Sequence, residues 1–348
     1  MAQVMERDDQ DGPYDGPFDA VVSTTEKYHT EVPVPNTNTT FAVYAPTEGA
    51  NLPVVLFQSG YGSHSGGHQF LLEKVAAQGF IVIAPDRADD TRCGCCGILG
   101  FLNTTSCAGL SVDGSHLAMA LEYAKNKENK WMDRADPERV IMSGFSMGGQ
   151  EVVHAAARFP QETKAIVVVS GSMLLPLAHI IGWNCCCAPC NPGSPIPCCS
   201  DTPVGMCGIS GAVKAWQVPS LFITAEYDAT KAGMDRGADI APNSTLVTFK
   251  DSALDLANPT TRATTSWGPF LALGGCYGTP FFGMPRHFAL ANEEKDVSAV
   301  PVGQFLRKHF YGGPDMEASD LMWNGQLNAK APNKCCAPFP LFRSCCDM

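Results

Sequence analysis

The sequence predicts an α/β fold, a mostly parallel central sheet with helices on both faces. Three observations carry that prediction. Apolar runs of strand length recur at 52–58, 80–85 and 139–143, as expected of strands buried on both sides. Helical segments alternate with them, the rhythm of a parallel sheet covered by crossover helices. Finally, Gly144-Phe145-Ser146-Met147-Gly148 joins the third apolar run directly to a helical segment. A serine between glycines at such a junction has the pattern of a nucleophile elbow.

Taken in order, residues 1–17 read as a disordered acidic leader, and strand-like segments follow at about 20–23, 28–34 and 40–45. The run 52–58 leads into a loop, Ser59-Gly60-Tyr61-Gly62-Ser63-His64-Ser65-Gly66-Gly67, which opens a helix near 69–78 that Gly79 ends. Residues 80–85 form the next buried strand and about 113–126 a helix; the elbow strand ends at Ser143, and its helix runs to Phe159. Strands are expected at 164–170, 219–225 and 245–250, with a closing helix at 298–310. Three stretches break the rhythm: 93–110 and 184–215, rich in Cys, Gly and Pro, and 254–284, rich in Thr, Gly and Pro. Such segments emerge from the loop ends of a parallel sheet, where insertions line a site. The expected organisation is a leader over 1–17, one domain over 18–312 with a Cys-rich insertion at about 184–215, and a Cys-containing tail over 313–348.

Composition narrows the partners. A hydrophobic fraction of 45% with 17% charged residues describes a globular chain. The net charge of -11 argues against nucleic acid, whose phosphates need clustered Lys and Arg. The longest weakly charged stretch, 165–183, contains Gly171, Pro176 and His179 and reads as a strand and a loop, not a membrane span. The 16 cysteines lie in clusters within loop-like sequence, which points to disulfides and an extracellular location. Glycosylation patterns at Asn38, Asn103 and Asn243 are compatible with this. The start of the chain has no apolar signal-peptide core, so secretion implies a trimmed leader; an intracellular chain with free thiols is the alternative. Cys187 and Cys190 have zinc-pair spacing, but no second pair accompanies them, and the adjacent Cys198 and Cys199 suit disulfides better. No metal and no cofactor are expected, and the chain is expected to be monomeric.

An activated serine needs a base, an orienting carboxylate and an anion-stabilising pocket. In a strand–elbow–helix architecture these follow in the order Ser, Asp or Glu, His. After Ser146, the run at 219–225 ends in Glu226-Tyr227-Asp228. Asp228, just past the strand end, is the leading acid, Glu226 its competitor, and a turn or helix-cap role for Asp228 the plainer reading. Two histidines follow: His309 late in the closing helix and His287 in a Gly/Pro loop before it. Elimination selects His287 as the base. His64 and His68 stand where they could contact substrate, whereas His154, inside a helix, reads as structural. The N–H of Met147 comes with the elbow as one oxyanion donor, and Tyr61 has the position of the second, with Gly60 permitting the turn that aims its N–H inward.

These features resemble the α/β-hydrolase superfamily over about residues 18–312. The block 53–87, the Gly-Phe-Ser-Met-Gly-Gly elbow at 144–149, Glu-Tyr-Asp at 226–228 and the loop around His287 fit it in order. Within it, the chain is similar to the dienelactone-hydrolase-like and cutinase-like polyester hydrolases, which place an aromatic residue in the oxyanion loop and a methionine after the nucleophile, as at Tyr61 and Met147. The resemblance implies a serine carboxylic-ester hydrolase acting through an acyl-enzyme on Ser146. It implies a substrate contact at Trp183, the match for the aromatic wall, beside those expected at Tyr61 and His64 in the loop after the first apolar strand. The insertion at 184–215 is longer than in those compact enzymes, which leaves the ester open, polymeric or small. Chlorophyllase and platelet-activating-factor acetylhydrolase relatives share the skeleton, though a chlorophyllase-type elbow usually carries Arg where Met147 stands. A non-catalytic binding or surface protein of the same fold is the alternative from another class.

Overall fold

The computed structural model describes residues 32–33, 39–60, 64–87, 114–171, 209–226, 228, 230–250, 290, 298–316 and 325–327 of the 348. In chain order these form β1 (Val32–Pro33), β2 (Thr39–Tyr44), β3 (Leu52–Gln58), α1 (Gln69–Ala77), β4 (Ile81–Arg87), α2 (Ser115–Lys125), β5 (Ala135–Phe145) and α3 (Met147–Arg158). There follow β6 (Thr163–Val169), α4 (Ile209–Ala215), β7 (Ser220–Ala225), α5 (Lys231–Ile240), β8 (Ser244–Phe249), α6 (Ala299–Tyr311) and β9 (Gly325–Leu327).

The strands make one sheet in the order β1-β2-β4-β3-β5-β6-β7-β8-β9. From β4 to β8 every pairing is parallel, and antiparallel pairings occur only at β1–β2, β2–β4 and β8–β9. The expected architecture, a mostly parallel central sheet with helices on both faces, is therefore what the chain adopts. The central strands are buried along their whole length, seven residues in β3 and six in β7, which explains why their sequences are continuous rather than alternating. Successive side chains still point to opposite faces. Val54 and Leu56 join Leu117 and Leu121 of α2 and Val152 of α3 in one core. Val55 and Phe57 join Leu71 and Leu72 of α1 and Val302 and Phe305 of α6 in the other.

The structure departs from the sequence reading in three places. Helix α5 was not anticipated, because Gly233 and Gly237 each lower helix propensity by about 1 kcal/mol relative to alanine; packing of buried Met234 against the sheet outweighs that. The insertion expected at 184–215 ends in a helix, α4, whose Val213 enters the core with Trp216 just beyond it. The tail expected at 313–348 contributes β9, whose Gln326 and Leu327 pair with Thr248 and Val247 of β8. The strand expected at 20–23 and the cysteine clusters lie outside the described residues. No helix among the described residues is long and apolar enough to cross a membrane.

Burial raises the pKa of three tyrosine hydroxyls, Tyr44, Tyr123 and Tyr311, the last pushed up to about 12. The Tyr311 hydroxyl donates to Gly79 O at 2.7 Å, closing the end of α6 onto the turn after α1. A pKa raised on folding adds stability that is whole below the unfolded value of about 10 and is lost as pH rises through the folded value. Denaturant midpoints are therefore expected to hold steady up to about pH 10 and fall steadily toward about pH 12. The Tyr311→Phe variant should fall less steeply. A midpoint unchanged across that range would show that these hydroxyls keep their solution pKa.

Candidate active site

Strand β5 passes into helix α3 through a single residue, Ser146. Its backbone has φ 53° and ψ -120°, a conformation costing a non-glycine residue about 1–3 kcal/mol. Serine at a helix start ordinarily caps it by accepting an N–H from the first turn, yet Ser146 makes no side-chain cap. Met147, as the first residue of α3, presents one of the four N–H groups that an α-helix cannot satisfy internally.

Close packing enforces this geometry. A Cβ on Gly148 would overlap the carbonyl oxygen of Gln58 at the end of β3. A Cβ on Gly60, in the loop that follows, would stand 2.8 Å from Ser146 Cβ. The expected Gly60 turn thus lies directly against the serine. Tyr61 lies outside the described residues. The far end of its loop is fixed by Asp86, whose carboxylate accepts from Ser65 N and Ser65 Oγ, both at 2.6 Å.

Asp228 is fully buried beyond the end of β7, whereas its competitor Glu226 is half-buried. Its N–H donates to Ala225 O at 3.1 Å. Its Oδ1 accepts from Thr230 N at 2.7 Å and Thr230 Oγ1 at 3.0 Å, and its Oδ2 accepts from Ser170 Oγ. Beside it, buried Lys231 pairs with Asp235 at 2.6 Å on the first turns of α5. A short path connects this carboxylate to the elbow. Ser146 N–H donates to Val169 O at 3.1 Å, and the next residue, Ser170, bonds Asp228. The structure therefore brings Ser146 and Asp228 together at the carboxyl ends of β5, β6 and β7, where ligands of open parallel sheets bind.

The other expected residues divide. His64 is exposed, immediately before the 3-10 turn Ser65–His68. His68, expected to be able to contact substrate, is instead buried, its ring 5.0 Å from the rings of Phe57 and Phe145. The 3-10 turn Ser65–His68 rolls it under the elbow. His154 is buried in α3, as a structural histidine would be, and His309, in the last turn of α6, lies tilted against Phe305 with ring centroids 4.6 Å apart. His287 and Trp183 lie outside the described residues. Among the described residues no group of three or more His, Cys, Asp or Glu side chains is placed to hold a metal ion. Sequence reasoning missed Ser170, Thr230 and Glu151. The last is fully buried on α3, accepts Gly114 N–H at 2.7 Å and lies 3.6 Å from His116 Nδ1, joining α3 to the start of α2.

Residues 41–182 match the model of the Dienelactone hydrolase family, a stretch that includes Ser146 and stops before Asp228. A relative from Mycobacterium phage D29, provisionally named a non-heme haloperoxidase, is 30% identical over 132 residues, 38% of this chain and 40% of its own. The chain thus spans well under half of that relative. The crystal structure of EstE1, a thermophilic and thermostable carboxylesterase cloned from a metagenomic library, is similar with a TM-score of 0.45 at 17% identity, over 64% of this chain and 78% of that one.

Proposed function

We propose that the chain is a serine carboxylic-ester hydrolase of the α/β-hydrolase superfamily, with Ser146 as nucleophile, Asp228 as acid and His287 as base. The observation that carries the reading is the strained, non-capping Ser146, one backbone hydrogen bond and one residue away from the buried Asp228 carboxylate. Ser146 Oγ attacks the ester carbonyl carbon while His287 takes its proton. The carbonyl electrons move onto oxygen, held by the N–H groups of Met147 and Tyr61. Collapse expels the alcohol, protonated by His287, and leaves an acyl-enzyme. Water, deprotonated by His287, then releases the acid and restores Ser146. Asp228 stays ionised and steadies the imidazolium.

A small-molecule ester is the substrate class proposed first. Polyester cleavage of the cutinase-like kind extends the same chemistry, resting on the resemblance at Tyr61 and Met147, with His64 and Trp183 as proposed substrate contacts. Disulfide bonding and an extracellular location are proposed from the cysteine clusters, and non-reducing peptide mass spectrometry reads the disulfides directly.

The test of the activity is covalent. A fluorophosphonate probe reacts with serines made nucleophilic by a base, so the folded protein should gain one adduct, on the peptide carrying Ser146, and the urea-denatured protein none. A folded protein that stays unlabelled would be a non-catalytic relative of the fold, and the proposal would fall.

A further inference from the structure

We infer that Ser170 is a positioning residue for the Asp228 carboxylate, a role that rests on the reading of Asp228 as the acid of the active site. Ser170 is the first residue beyond β6 and is fully buried. Its φ is +46°, the left-handed region where any side chain but glycine's is strained. Its N–H donates to Ile223 O at 2.7 Å, which fastens the end of β6 to β7. The next N–H, of Gly171, donates to Met234 Sδ at 3.0 Å. The backbone at 170 is thus held from both sides in a conformation that glycine would adopt without strain. A serine there needs a reason, and its hydroxyl supplies one by donating to Asp228 Oδ2.

The contribution is geometric. Thr230 gives Oδ1 two donors, at 2.7 and 3.0 Å, but both come from the loop that carries Asp228 itself. Ser170 reaches Oδ2 from a different strand, so the plane of the carboxylate is fixed relative to the sheet. The residue before it, Val169, accepts the Ser146 N–H at 3.1 Å. One strand end therefore sets the acid and the nucleophile in a common frame.

Ser170→Gly removes the hydroxyl and relieves the backbone, whereas Ser170→Ala removes the hydroxyl and keeps the strain. Both should lose kcat for a p-nitrophenyl ester by about 10- to 100-fold, the effect of one hydrogen bond to a charged group, with KM changed by less than about 2-fold. Their melting temperatures should separate, glycine above alanine, while their kcat values coincide. A purely structural serine would instead make kcat track stability. Wild-type kcat in a folded Ser170→Gly protein overturns the inference, and so does failure of that variant to fold, which would assign the hydroxyl to stability. Asp228→Asn, measured alongside, separates the two levels. If it too turns over at the wild-type rate, the reading of Asp228 as the acid falls; if it is inactive while Ser170→Gly is unaffected, only the role of Ser170 falls.

Discussion

Replacing Ser146 with glycine should silence ester hydrolysis and at the same time make the protein harder to unfold. The two effects have separate origins. Loss of a serine nucleophile that works with its base as a unit lowers kcat on the order of 10,000- to 1,000,000-fold, because the remaining groups have nothing to activate. Stability moves the other way. At φ 53° and ψ -120° the serine is strained, by about 1–3 kcal/mol, and its side chain returns no helix cap. Glycine removes that strain at an entropic cost of about 0.4–1 kcal/mol in the unfolded chain, leaving a net gain of about 1 kcal/mol. Turnover of a p-nitrophenyl ester and the urea midpoint measure both on one preparation. A glycine variant that keeps its rate sinks the nucleophile, and one that is less stable than wild type means that the hydroxyl holds the fold.

This opposition of stability and activity also explains which parts of the molecule could be read from the sequence. Strands β3, β4, β5 and β7 announce themselves because burial on both faces demands unbroken apolar runs, and the elbow because Gly144 and Gly148 bracket Ser146. Those signals are local. Helix α5 carries no such signal: Gly233 and Gly237 argue against it, and only the sheet beneath it makes it form. Strand β9 is three residues of unremarkable composition that exist as a strand by pairing with β8. His68 misleads for a similar reason, since its place in a Gly-rich loop suggests exposure while a 3-10 turn buries it between Phe57 and Phe145. Ser170 is the clearest case. A serine at a strand end is commonplace in sequence, and its importance comes from a φ angle and from a carboxylate 58 residues away.

Gly148→Ala sets two rules against each other, and its outcome shows which governs the elbow. Gly148 is the second residue of α3, and helix propensity alone makes alanine there about 1 kcal/mol more favourable. Packing says the reverse. The new methyl group would overlap the Gln58 carbonyl oxygen and stand 2.9 Å from Ser59 O, backbone atoms that cannot rotate away as a side-chain tip can. Relief needs α3 to move off β3, or the end of β3 to shift against β5, where Gln58 pairs with Gly144. Overpacking of this kind costs about 1–3 kcal/mol in ordinary cores, and a clash against strand backbone belongs at or above the top of that range. Because Ser146 lies two residues before Gly148 and Gly60 packs on its Cβ, the same displacement should disturb the nucleophile and cut ester turnover in whatever fraction still folds. Gly312→Ala is the control: it has φ 67° with nothing within 4 Å of the added Cβ, so it should lose only about 1 kcal/mol of stability to backbone strain and no activity. If Gly148→Ala proves as stable and as active as wild type, helix and strand do not approach as closely as the fold requires, and the steric origin of the elbow is wrong.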